Sequence, residues 1–229
     1  APIEASLQDA SVALNIVRIN DQPTGTAFIC VSEDAENAIT VAPGANLCLL
    51  AQHLPPLHGV SHLLMQLEIP LGTVIAYAEA ARQQGVTTVL NAAPIQKLPT
   101  ELLQWIDILV VNEGELASLS GHSGSIAECL ERINVPTVVV TLGHRGSCAR
   151  DKGSFLVQPA CAVTPVDTTA AGDTFCGSLV AALSAGSSLS HALALAGAAG
   201  ALACTRLGAQ SSIPQQAEVA AFLARQPAK

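Results

Sequence analysis

Val166-Asp167-Thr168-Thr169-Ala170-Ala171-Gly172-Asp173-Thr174-Phe175-Cys176-Gly177-Ser178-Leu179 decides how the rest of the chain is read. Two β-type runs, residues 154–157 and 160–166, precede it, and a long Ala/Leu-rich helix follows. Between them Ala170-Ala171-Gly172 supplies backbone without bulk, so a ligand can approach the main chain closely. The amides of Ala171, Gly172 and Asp173 are expected to face outward at a helix N-terminus, where unpaired N–H groups and the macrodipole favour an anion. One carboxylate, Asp173, stands beside that anion hole. An anion cradle with an adjacent base is what phosphoryl transfer to a hydroxyl requires. The same spacing also suits Asp173 as a plain helix cap, because Asp is favoured at N-cap.

Working outward, the pattern alternates. Residues 24–31 and 38–41 read as extended runs joined by the polar connection Ser32-Glu33-Asp34-Ala35-Glu36-Asn37. Strands are expected over 62–67, 86–91, 106–111 and 137–141. Helices are expected over 71–84 with a stop at Gly85, over 113–119 with a stop at Gly121, and over 126–133. Short apolar strands alternating with helices give an α/β fold, a mostly parallel, doubly wound sheet covered on both faces. The chain reads as one domain, 1–229, in which 24–41 form a small β element. Ligands of such sheets sit beyond the strand C-terminal ends. Glu68, Asn91, Asn112 and Gly143 all fall at or just after strand ends, which predicts one shared cleft.

Half of the 229 residues are hydrophobic but only 3% are aromatic, so the core must be built from Ala, Leu, Val and Ile. Only 12% are charged, which leaves little to cover a surface and fits a chain with further packing partners. A net charge of −8 argues against nucleic acid as a partner, which needs clustered Lys and Arg. It leaves ATP open, since backbone amides and a metal can hold its phosphates. The most apolar run, residues 192–204, is too short to cross a bilayer and is interrupted by Gly197 and Gly200, so no membrane is expected. Cys30, Cys48, Cys129, Cys148, Cys161, Cys176 and Cys204 lie singly, which reads as reduced thiols in a cytoplasmic protein. His58 and His62 have i,i+4 spacing, but their surroundings read as a loop entering a strand rather than a zinc site.

Asp167-Thr168-Thr169-Ala170-Ala171-Gly172-Asp173-Thr174-Phe175 resembles the C-terminal motif of the ribokinase-like (PfkB) sugar kinases. Further stretches match in the family's order: Met65-Gln66-Leu67-Glu68, Asn91-Ala92-Ala93-Pro94, Val111-Asn112-Glu113-Gly114-Glu115, Thr141-Leu142-Gly143-His144-Arg145-Gly146 and Thr205-Arg206-Leu207-Gly208-Ala209-Gln210. The resemblance implies that Asp173 is the general base and that Ala171, Gly172 and Asp173 form the anion hole. It implies that Asn112, the 141–146 turn (Thr141, Leu142, Gly143, His144, Arg145, Gly146) and Gly172 line the ATP site, and that Glu68 approaches the sugar together with Asp173. Asn112 and Glu115 resemble the family's Asn-x-x-Glu element, which orders Mg²⁺ through water, with Glu113 beside it; a capped helix start would look the same. Asp167, Thr169, Ala203, Arg206, Gly208 and Ser212 match positions that surround an activating K⁺ in the family. Gly197 falls where relatives place a polar residue near adenine.

The implied activity is ATP-dependent phosphorylation of a sugar hydroxyl, ribose to ribose 5-phosphate, with ATP as co-substrate and Mg²⁺ and K⁺ as cofactors. Deoxyribose, fructose or a nucleoside as acceptor, and an inactive nucleotide-binding fragment, remain alternatives. The resemblance begins late: the family's opening strand with its sugar-binding Asp and Gly-Gly loop has no counterpart here, and residues 1–23 resemble the segment before the second half of the family's lid. A chain lacking those strands is expected to bind ATP weakly, to phosphorylate ribose poorly if at all, and to self-associate. A full-length form is expected to be a homodimer through the lid.

Overall fold

Thr137-Val138-Val139-Val140-Thr141 is a β-branched run whose central side chains are buried on both faces, the signature of an inner strand in a covered parallel sheet. The computed structural model describes residues 2–31 and 37–226. It begins with α1 (Pro2–Asp9) and continues through β1 (Thr26–Val31) and β2 (Asn37–Ala42), an antiparallel pair in register from Thr26↔Ala42 to Val31↔Asn37. The polar connection expected over 32–37 lies outside the described residues but for Asn37.

The main sheet follows. Its strands are β3 (His62–Met65), β4 (Thr87–Asn91), β5 (Ile108–Asn112), β6 (Thr137–Thr141), β7 (Ser147–Asp151) and β8 (Ser154–Gln158), side by side in chain order. β3 to β6 are parallel, and β7 and β8 return antiparallel. The crossovers α2 (Leu71–Gln83), α3 (Thr100–Leu103) and the pair α4 (Glu113–Ser120) and α5 (Ile126–Glu131) bury Val74, Leu102, Leu116 and Leu130 against one face of the sheet. The opposite face, carrying Val89, Val110 and Val139, is covered by α6 (Ala171–Ser184) and α7 (Leu189–Ala203) through Phe175, Leu179 and Leu193. α8 (Gln216–Leu223) packs Val219 against Ala198 and Ala199 of α7.

Helix punctuation follows local chemistry. Gly121 ends α4 in the left-handed conformation, and Gly85, φ +74°, follows α2. Asn112 and Ser125 open α4 and α5 with reciprocal capping boxes to Glu115 and Glu128. Residues 160–166, expected as a strand, join no sheet. Pro159 and Pro165 lack the N–H a ladder needs, and the Val166 and Asp167 amides donate instead to the Cys204 carbonyl at 2.7 and 3.1 Å. The apolar run over 192–204 is the body of α7, and among the described residues no helix is long and apolar enough to cross a membrane.

Candidate active site

α6 starts where the chain turns through Ala170, a non-glycine residue at φ +59°. A left-handed N-cap is unusual, because that position ordinarily has an extended conformation and a polar side chain. Here no side chain caps the helix. Asp173 is thus not a capping residue; it stands exposed in the first turn, its carboxylate uncommitted among the described residues. The Ala171 amide, expected in the anion hole, donates to the Thr168 carbonyl at 3.2 Å to close the turn. That leaves the amides of Gly172 and Asp173 without acceptors among the described residues, two donors at the positive end of a 14-residue helix.

α6 and α7 form an antiparallel hairpin that sets this terminus against the end of α7. A Cβ added at Gly200 would lie 3.2 Å from the Ala171 carbonyl oxygen, so the two backbones approach as closely as they do only because residue 200 has no side chain. Between them and the β6–β7 turn opens a cavity of about 600 Å³, a size suited to a nucleotide-like ligand. Thr141, Gly143, His144 and Gly146 line it from the turn, Ala171, Gly172 and Phe175 from α6, and Gly197, Gly200 and Ala201 from α7. The turn is closed by the Leu142 amide on Gly146 O at 2.8 Å and the Arg145 amide on Leu142 O at 3.1 Å. Gly146 sits at φ +99°, where a Cβ would run into the Gln158 carbonyl oxygen. Leu142 and Arg145 do not line the cavity: Leu142 packs with the hydrophobic core, and Arg145 pairs with Glu113 at the start of α4.

Asn112 and Glu115 adopt the capped helix start. The Asn112 Oδ1 accepts from the Glu115 amide at 2.8 Å, and Glu115 Oε2 accepts from the Asn112 amide at 2.7 Å. Burial raises the Glu115 carboxyl above the usual range, against the lowering effect of the Asn112 amide. Glu115 and Asp173 both act on the same thiol: burial first, then the Asp173 and Glu115 carboxylates, push Cys176 up to about 12. The acids of α4 and α6 therefore flank one point on α6, although they are far apart in sequence. Among the described residues no cluster of three or more His, Cys, Asp or Glu could cage a metal.

Glu68 lies three residues past Met65, where β3 ends two residues short of the expected strand. The Leu67 amide donates across to Ala93 O at 2.9 Å, and the Glu68 amide takes the Gln66 side chain as its acceptor. Glu68 is exposed and lines a second cavity of about 330 Å³ with Val41 of β2, Leu67, Pro94 and Gln96. The single cleft expected from the strand ends is thus two cavities along one sheet edge. The reason is sheet width: β3 and β6 are three strand spacings apart, roughly 14 Å. Asn91 and Asn112 line neither cavity.

The residues expected around a monovalent cation converge in part. Asp167 accepts from the amides of Thr169 and Gly208, both at 2.9 Å, tying the start of the motif to the loop after α7. Hydrogen bonds, from the Thr169 side chain first and then the Gly208 amide, hold its carboxyl below the usual range. The Ala203 carbonyl accepts from the Arg206 amide at 3.2 Å, and buried Ser212 donates its hydroxyl to Ala209 O at 2.7 Å. The Arg206 side chain pairs with Glu218 of α8. The donors available to an ion are oxygens, which suits a hard cation. Sequence reasoning missed the cavity wall from Pro159 to Pro165, which includes Ala160, Cys161 and Val163. Irregular chain leaves no periodicity to read, and its two prolines were the only signal.

A family model described as pfkB family carbohydrate kinase matches residues 1–216. The chain is 38% identical over 230 aligned positions to a ribokinase of Haemophilus influenzae, covering 96% of this chain and 75% of that one. The structure of Arabidopsis thaliana ribokinase complexed with ribose and ATP superposes with a TM-score of 0.80 at 32% identity, covering 89% of this chain and 70% of that one. A solved E. coli structure in complex with ATP and Mg²⁺ superposes with a TM-score of 0.76 at 26% identity, covering 90% and 72%.

Proposed function

We infer the activity from one premise: the chain belongs to the pfkB family of carbohydrate kinases. It is a phosphotransferase with an alcohol acceptor, and the reaction is ATP-dependent phosphorylation of D-ribose to ribose 5-phosphate. The observation that carries this reading is the first turn of α6, where Gly172 lines the larger cavity and the exposed Asp173 carboxylate stands next in the chain, just outside that lining.

In the proposed arrangement ATP fills the larger cavity, with its phosphates toward the amides of Gly172 and Asp173. The sugar lies toward Glu68 and the β1–β2 lid. Asp173 accepts the proton of the attacking hydroxyl, a contribution of ~10²–10⁴ in rate. The amides stabilise charge that develops on the transferred group, where losing one donor costs ~10²–10³. Mg²⁺ would neutralise the triphosphate, with Asn112 and Glu115 ordering its water. K⁺ would sit among Asp167, Thr169, Ala203, Arg206, Gly208 and Ser212, fixing the loop behind the anion hole. The 141–146 turn forms the nucleotide wall. Dimerisation through the lid is supported by Phe28, exposed on β1 at 62%. Free thiols at Cys48, Cys129, Cys148, Cys176 and Cys204 support a reducing, cytoplasmic setting.

The test is a coupled assay of ADP release with ribose, deoxyribose, fructose and adenosine offered separately. Ribose is expected to give the highest kcat/KM. A higher value for any of the other three would replace the acceptor while leaving the reaction class intact.

A further inference from the structure

We propose that the larger cavity takes 6-oxo purine nucleotides, such as guanine nucleotides, as readily as adenine nucleotides. The inference rests on the reading of that cavity as the phosphoryl-donor site and extends it to the choice of base. Adenine presents an amino donor where guanine presents a keto acceptor. A site tells the two apart by fixing a donor or an acceptor there, because the wrong base then leaves a buried polar group unpaired.

Nothing in the described wall fixes that polarity. No Asp, Glu, Asn, Lys or Arg is among the described residues lining the cavity, and its polar side chains, Thr141, His144, Ser147, Gln158 and Thr168, are types that can each donate or accept. Ser147 lines it, is only 2% exposed, and its hydroxyl has no hydrogen-bond partner. A hydroxyl can donate to a keto group or accept from an amino group by rotation. Gln158, whose Nε2 reaches Pro159 O at 3.3 Å, carries both a donor and an acceptor on one rotatable amide. The irregular stretch beyond it offers main-chain carbonyls together with the amides of Ala160, Ala162 and Val163, which have no acceptor among the described residues, again both polarities.

Size points the same way. Gly197 lines the cavity, and a Cβ built on it would meet nothing within 4 Å. That open volume leaves room for the 2-amino group that guanine carries and adenine lacks.

Calorimetric titration with Mg·ADP and Mg·GDP tests this on the chain itself. The dissociation constants are expected to agree within about tenfold, the factor that one hydrogen-bond difference allows. Gly197→Leu is expected to weaken GDP at least about tenfold more than ADP, and Ser147→Ala to weaken both by a similar factor, about fivefold. ADP binding more than tenfold tighter than GDP would overturn the inference and leave the donor site in place. Failure of the folded protein to bind either nucleotide would overturn both.

Discussion

At the scale of single residues, two carboxylates have opposite surroundings. Asp173 is exposed and uncommitted, whereas Glu115 is buried and held by the Asn112 amide. The raised Glu115 carboxyl sets the sign of its effect on stability. Its folded form binds the proton more tightly than the unfolded chain, so stability falls as pH rises from the ordinary Glu value, about 4.3, through the raised folded value. Glu115→Gln keeps an acceptor for the Asn112 amide and removes the buried charge. Thermal melts are expected to show the variant at least as stable as the parent at pH 7, with that pH dependence flattened; a clear loss of stability at pH 7 would show that the charge itself supports the fold. The placement of Asp173 in the first turn of a helix was legible in sequence because small residues and an acid at a helix start form a local pattern. The loss of the Ala171 amide to Thr168 was not legible, because it depends on the left-handed turn at Ala170, which an alanine does not advertise.

At the scale of elements, the strand–helix alternation was readable because each inner strand is a short apolar run and glycines follow α2 and α4. The 160–166 segment misled for a related reason: its apolar residues fit a strand, while Pro165 within it and Pro159 just before it deny it a ladder. The α6–α7 contact is the element pair that shapes the site, and Gly200 brings the two backbones close. Gly200→Leu is expected to destabilise the protein by roughly 1–3 kcal/mol through overpacking, against a helix-propensity gain of about 1 kcal/mol. It should also weaken ADP binding, because the first turn of α6 must shift. A raised melting temperature with unchanged ADP affinity would mean that the helices do not constrain the anion hole.

At the scale of the whole molecule, the sheet presents two cavities along one edge, and β2 contributes Val41 to the smaller one. The sequence suggested one cleft because strand ends say which edge ligands use, not how far apart the strands stand. The proposed cation loop links the motif to the end of α7, so its effect should be global. At fixed ionic strength, K⁺ is expected to raise turnover above that in Na⁺ or Li⁺, and equal rates in the three chlorides would remove the site. The central claim is phosphoryl transfer to ribose with Asp173 as base. Phosphorus NMR of the protein with Mg·ATP and D-ribose tests it most directly. The account predicts a sugar phosphomonoester signal that grows only when ribose is present, and Asp173→Asn should slow its growth at least ~10²-fold while ADP still binds. ATP consumption without a sugar phosphate, or an Asp173→Asn variant retaining more than about a tenth of the rate, would contradict it.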